Sequence, residues 1–190
     1  SWTDPPGAGP LMPRLFTGLA VPPAVADALK VYQGGLPGAR WIEPGDFHVT
    51  LRFLGDVEVT VADDVVEALA EMRVRPPLTV TLDGLGIFGG DRPRALYAAV
   101  VADPALTDLQ AEQERLVRRA GVEPERRKFT PHVTLARLRR DATPEATAMY
   151  LSQAPVFAPL AFAVDRVTLF SARDSTGGGP YVAEADFPFA

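Results

Sequence analysis

Apolar and polar positions alternate over 78–88 and 94–101, which predicts a strand in each, and 14–21, 47–54 and 131–138 also read as strands. Two further strands are predicted at 159–170 and 180–187, and a short extended piece at 40–42. A period near 3.6 fills the gaps. Pro22-Pro23 opens a helix running to about Gln33, since proline is tolerated in a first turn. Thr60 caps a second to about Arg73, with Val61, Val65, Leu69 and Met72 on one face. Asp103-Pro104 starts a third that ends before Gly121, and Thr143-Pro144 starts a fourth to about Ser152. "STGGGP" (175–180) predicts a loop.

This order of elements contains a duplication. A strand opening His-Val-Thr-Leu, then a helix, then two strands, occurs in each part of the chain, with the histidines 132 − 48 = 84 residues apart. That spacing is too long for a solenoid. The expectation is an α+β fold, bilobal and duplicated about a pseudo-two-fold axis, with two mostly antiparallel sheets facing a central cleft and helices outside. Residues 1–12, rich in Pro and Gly and without periodicity, read as an N-terminal tail or expression scar, and 13–190 as a single two-lobed domain.

Composition narrows the function. With no cysteine, disulfides and thiolate metal sites are excluded, which fits a reducing cytoplasm. No apolar run is long enough to span a bilayer, so no membrane partner is expected. A net charge of −5 argues against coating nucleic acid non-specifically, although a local basic site is compatible with it. The cations are 17 Arg to 2 Lys, a bias more simply of the source genome than of any one site.

The chain has two histidines, and each opens one copy of His-Val-Thr-Leu. Strand alternation puts His48 with Thr50, and His132 with Thr134, on one face, backed by Val49, Leu51, Val133 and Leu135 on the other. If the two faces converge, the cleft holds an acid, a base and hydroxyl donors. Imidazole titrates near pH 6.5, so one ring can accept a proton while the other donates one. Displacement at a phosphodiester needs that pair, because the attacking and leaving oxygens lie in line on opposite sides of phosphorus. The threonines and a nearby arginine would hold the non-bridging oxygens, and no metal or other cofactor is required.

These strands, with "RLFTGLAVPPAV", "ARWIEPGDFHVTLRFLG", "FTPHVTLARL" and "VTLFSAR…GGPYVAEADFPF", resemble the RNA 2′,3′-cyclic phosphodiesterases, also called 2′-5′ RNA ligases, of the two-histidine phosphoesterase superfamily over about residues 13–190. The resemblance implies metal-free hydrolysis of RNA 2′,3′-cyclic phosphate ends to 2′-phosphates, with RNA ends or small cyclic nucleotides as substrate. It also implies no ATP, and the chain is expected to act as a monomer. The alternatives are ATP-independent 2′-5′ joining or cleavage and a non-catalytic module that binds RNA ends or nucleotides. The catalytic histidines fall on His48 and His132, the phosphate-holding threonines on Thr50 and Thr134, and the family's arginine on Arg137. Strand parity places Arg137 on the face opposite His132, so its role needs a long reach or a break in the pleat. His48 is assigned as acid and His132 as base.

Secondary candidates surround the motifs. Phe47, Phe129, Trp41 and Tyr181 could stack on a base, although packing is the commoner role of such rings. Arg40, Arg52, Arg126, Arg127 and Lys128 could form a cationic rim, and parity favours Arg52, which shares the face of His48 and Thr50. No Gly-Lys-Ser/Thr phosphate loop occurs. A metal-dependent hydrolase using both histidines is the remaining rival enzyme, and activity in excess chelator separates it.

Overall fold

A computed structural model of the chain describes Trp2, residues 12–172 and residues 178–190. The expected tail, apart from Trp2 and Met12, and residues 175–177 of the expected loop lie outside the described residues. Among the described residues nine strands form: β1 (Arg14–Ala20), β2 (Ala39–Trp41), β3 (His48–Asp56), β4 (Leu78–Phe88), β5 (Ala95–Val100), β6 (His132–Leu138), β7 (Leu160–Val164), β8 (Arg166–Ser171) and β9 (Val182–Pro188). The helices are α1 (Pro23–Leu29), α2 (Val59–Leu69), α3 (Pro104–Arg119) and α4 (Pro144–Gln153). Helix starts follow the capping chemistry where it is strongest. Asp103 accepts the backbone N–H of Leu106 at 2.9 Å and Thr143 that of Ala146 at 3.1 Å, each followed by proline in the first turn.

All strand pairs are antiparallel, in the order β7-β4-β5-β6-β3-β1-β8-β9, with β2 added against β6. The expected two sheets are two four-stranded halves, β6-β5-β4-β7 and β3-β1-β8-β9, joined where Val49 pairs with Val133. Each half therefore ends at the seam in one of the two histidine strands. The halves are not consecutive in sequence. The run predicted as one strand at 159–170 is broken at Asp165 into β7, which pairs with β4, and β8, which pairs with β1 and β9 at the other end of the sheet. Alternation shifts phase at the break, where Asp165 and Arg166 are exposed in succession between buried Val164 and Val167, but a phase shift does not say where the next strand pairs.

One core lies behind the seam, where Val49, Leu51, Val133 and Leu135 meet Leu29 of α1, Leu106 and Leu109 of α3 and Tyr150 of α4. A second packs α2 and the end of α3 on the far half, through Leu15, Val65, Leu69, Val117 and Leu169. Burying each such side chain contributes about 1.5–3 kcal/mol, so the rear faces of both histidine strands are firmly anchored.

Candidate active site

An antiparallel pair has a local two-fold axis normal to the sheet, and the Val49–Val133 pair puts that axis at the middle of both motifs. Carrying the register one residue either way sets His48 across from Thr134 and His132 across from Thr50. The imidazoles are then diagonal neighbours, which in an ordinary antiparallel pair are separated by about 7–8 Å at the backbone. A tetrahedral phosphate fits between side chains so placed.

Both rings are locked in the same way. Nδ1 of His48 lies 2.8 Å from the carbonyl of Asp46, and Nδ1 of His132 lies 2.7 Å from that of Thr130, each two residues back. A carbonyl only accepts, so Nδ1 carries the proton in both and Nε2 bears the lone pair of the neutral ring. The Thr50 hydroxyl lies 3.0 Å from Nε2 of His48, to which it donates in this tautomer. Thr134 is half-buried on β6, opposite Tyr97.

Aromatic rings enclose each imidazole. Phe16 and Tyr181 have centroids 4.7 and 5.0 Å from that of His48, and Phe88 and Tyr97 lie 4.8 and 5.5 Å from His132. Tyr97 lies across Gly86 on β4, where a Cβ would collide with the phenol ring, so the absent side chain makes room for it. Burial in this surround pushes His48 down to about 4, against the pull of the Asp46 carbonyl and with help from His132 and Arg137. His132 is lowered also, by burial first and then by Arg137, against the Thr130 carbonyl. Both rings are thus poised as neutral bases at pH 7, and the deeper depression at His48 runs against its assignment as the acid.

Arg137 reaches the cleft through a break in the pleat. Tyr97 pairs with Thr134 but Leu96 pairs with Ala136, so the register slips by one residue and Leu135 and Ala136 are both buried. Arg137 thereby returns to the side of His132 and lines the cleft with Tyr181. The same slip occurs in β3, where Gly18 pairs with Thr50 and Thr17 with Arg52. There it turns the Arg52 side chain inward, contrary to the parity expectation, so that Arg52 borders the hollow beside His132 with its guanidinium engaged. Arg52 is 4% exposed, ion-pairs with Glu114 and donates to the carbonyls of Phe53 and Glu123. All of its nitrogens are engaged, so it fastens the 121–128 loop in place of gripping phosphate.

Two hollows flank the seam and share Thr50, Phe53, Arg94 and Arg137 on their walls. One, of about 450 Å³, holds His48, Phe16 and Tyr181; the other, of about 470 Å³, holds His132, Phe88, Lys128 and Phe129. Phe47 is not in either. It is 3% exposed in the main core, so base stacking is excluded for it, whereas half-buried Phe129 lines the second hollow. Phe53 and Arg94 were not expected. The signal for Phe53 was available, since it follows His48 by five residues as Arg137 follows His132. Among the described residues no three His, Cys, Asp or Glu side chains gather as a metal-binding group.

The sequence model of the 2′-5′ RNA ligase superfamily matches residues 21–176. The chain belongs to that superfamily. An RNA 2′,3′-cyclic phosphodiesterase of Bacillus subtilis is 31% identical over 134 residues, covering 67% of this chain and 72% of the relative. Its namesake in Aeropyrum pernix is 39% identical over 107 residues, covering 55% of this chain; the match spans 60% of that relative's length. In fold, E. coli LigT complexed with 3′-AMP superposes with a TM-score of 0.72 at 23% identity, over 93% of this chain and 98% of LigT. A Thermus thermophilus protein gives 0.74 at 24% identity over 93% of this chain and 97% of its own. The superfamily fold is therefore the one described above. No helix among the described residues is long and apolar enough to cross a membrane.

Proposed function

We propose that the protein hydrolyses RNA 2′,3′-cyclic phosphate ends to 2′-phosphates without a metal, His48 protonating the departing 3′ oxygen and His132 taking a proton from the attacking water. The observation that carries this reading is the diagonal pair of imidazoles about Val49–Val133, each with Nδ1 tied to a backbone carbonyl and Nε2 pointing away from it, that of His48 beside the Thr50 hydroxyl. An acid and a base on opposite sides of one phosphorus atom are what in-line displacement requires. Thr50, Thr134 and Arg137 hold the non-bridging oxygens, where the charge gathers. The superfamily membership and the names of the relatives support the same substrate.

The depressed pKa of His48 fits an acid that is charged by its substrate. At pH 7 the ring is neutral among Phe16, Tyr181 and Arg137, and an anionic phosphate between the rings supplies the opposite charge that favours imidazolium. A monomer working in the cytoplasm without ATP suffices for this scheme. The test is incubation of the purified protein with a 2′,3′-cyclic-phosphate-ended oligonucleotide in excess EDTA, followed by assignment of the product isomer. A 2′-phosphate product is expected. A 3′-phosphate, loss of activity in EDTA, or tight binding with no turnover would each overturn the reading.

A further inference from the structure

Tyr181, the last residue before β9, meets His48 with ring centroids 5.0 Å apart and planes at 87°. Two side chains from distant parts of the chain hold the segment that brings it there. Arg40 of β2 donates to the Gly179 carbonyl at 3.3 Å, and the Asp46 carboxylate accepts the backbone N–H of Tyr181 at 3.3 Å. Because β2 is paired with β6, the hold spans both halves of the sheet. Asp46 also sits close against the turn itself: a Cβ on Gly179, whose φ is +95°, would lie 2.5 Å from Asp46 Oδ2. A side chain there would displace the carboxylate. Asp46 is, besides, the residue whose carbonyl receives Nδ1 of His48. One residue therefore carries both the backbone anchor of that imidazole and the hold on its aromatic neighbour.

In the other half the matching places are used differently. Thr130, whose carbonyl receives Nδ1 of His132, is exposed. The segment entering β7, which is outermost in that half as β9 is in this one, turns to the rear core, where Phe157 stacks on Tyr32 with centroids 4.8 Å apart. We propose that Asp46 is a positioning residue, its carboxylate holding residues 178–181 so that Tyr181 covers His48 and keeps water from that ring. Burial raises the Tyr181 phenol, with Arg137 opposing, so the cover is an uncharged ring at pH 7. Burial is also the first cause of the depression of His48 to about 4, so loosening the cover lets His48 titrate higher. The other charged groups about His48 are Arg14, Arg94 and Arg137 on the same hollow, His132 across the seam and Arg40 behind the segment. In the hydrolase reading above, on which the catalytic consequence rests, the cover keeps the acid neutral until substrate charges it.

The experiment is an NMR titration of the imidazoles in the free protein, where the chain's two histidines are told apart with His132→Asn. In Asp46→Ala, with circular dichroism showing the fold retained, His48 should bind its proton about tenfold more tightly than in wild type. Losing a carboxylate by its charge alone would weaken proton binding, so the sign separates the two causes. Gly179→Ala changes no charge and should tighten it likewise, whereas Asp46→Asn, which keeps an acceptor oxygen for the Tyr181 N–H, should stay near wild type. Tyr181→Ala should match Asp46→Ala, and the double variant should go no further. A fall or no change at His48 in Asp46→Ala and Gly179→Ala overturns the proposal. So does an equal rise in Asp46→Asn, or an additive double variant. With a nucleoside 2′,3′-cyclic phosphate as substrate, the acid limb of the kcat/KM profile should move with His48 across the same variants, and a limb that stays in place overturns the part in catalysis. If nothing turns over, the hydrolase reading fails by itself, and the titrations still decide the role of Asp46.

Discussion

From His48 to Leu54 and from His132 to Leu138 the two strands have the same sequence of buried, half-buried and exposed positions, including the slip that buries two residues in succession. Their chemistry departs after the fourth residue. Where one half has Arg52 turned inward and Phe53 in the cleft, the other has Ala136 inward and Arg137 in the cleft. Backbone duplication thus supplies a symmetric pair of imidazoles, and side-chain divergence makes them different. The reaction needs both. Two equivalent rings have no means of deciding which holds the proton, whereas a cation on one side and unequal burial on the other set them apart.

The severest way to break the comparison is to remove one ring at a time. His48→Asn and His132→Asn should each lower kcat by about 10³-fold, near 4 kcal/mol of transition-state stabilisation, and the double variant should be little worse than either. Circular dichroism and thermal melting should show the fold retained, since neither ring is part of a core. Single-turnover rates check this. If one variant keeps a rate within tenfold of wild type, only one half is chemical and the pairing is wrong.

Arg137 comes next, because it is the charge that the other half lacks. Arg137→Ala should cost about 10²-fold in kcat/KM through the lost charge-assisted bonds. It should also let both histidines titrate higher, since the guanidinium lowers each. In wild type both free-enzyme values lie below 6.5, so the kcat/KM profile should peak on the acid side of neutrality. The kcat profile should lie at higher pH, because bound phosphate favours the charged ring. In Arg137→Ala the two profiles should draw together. Identical profiles in wild type would contradict charging of His48 by substrate.

Much of the site was legible because it repeats. With both histidines in one tetrapeptide, parity alone gave the shared face of His48 with Thr50 and of His132 with Thr134. Parity failed one turn of the pleat later, for Arg52 and Arg137 alike, since a register slip is a tertiary response to the neighbouring strands and leaves no mark in the alternation itself. Setting one copy against the other would have exposed the error: Arg137 in the cleft requires Phe53 there and Arg52 beneath. The composition of the halves was hidden for a different reason. Asp165-Arg166 shifts the alternation by one, from Phe162 and Val164 to Val167 and Leu169, but that shift reads equally as a bulge, whereas here the chain passes from one end of the sheet to the other. Phe47 shows the ordinary outcome for an aromatic beside a motif, which is packing.

The smallest effect separates the halves by stability. His48 is held to about 4 in the folded chain, against about 6.5 when unfolded. Between those values the unfolded chain binds the extra proton, so stability is full above pH 6.5 and is lost as pH falls toward 4. Going from pH 7 to pH 5, this single ring should account for about 2 kcal/mol of lost stability. His48→Asn removes the titration and retains an N–H donor for the Asp46 carbonyl, so the difference between wild type and variant isolates the ring from every other acid-sensitive group. Urea midpoints at both pH values should converge toward the variant's as pH rises and fall below it at pH 5. His132, whose ring sits in a more open setting, should give the same sign with a smaller gap in His132→Asn. An equal or larger gap there would mean that the two surroundings differ less in solution than the packing of Phe16 and Tyr181 around His48 requires.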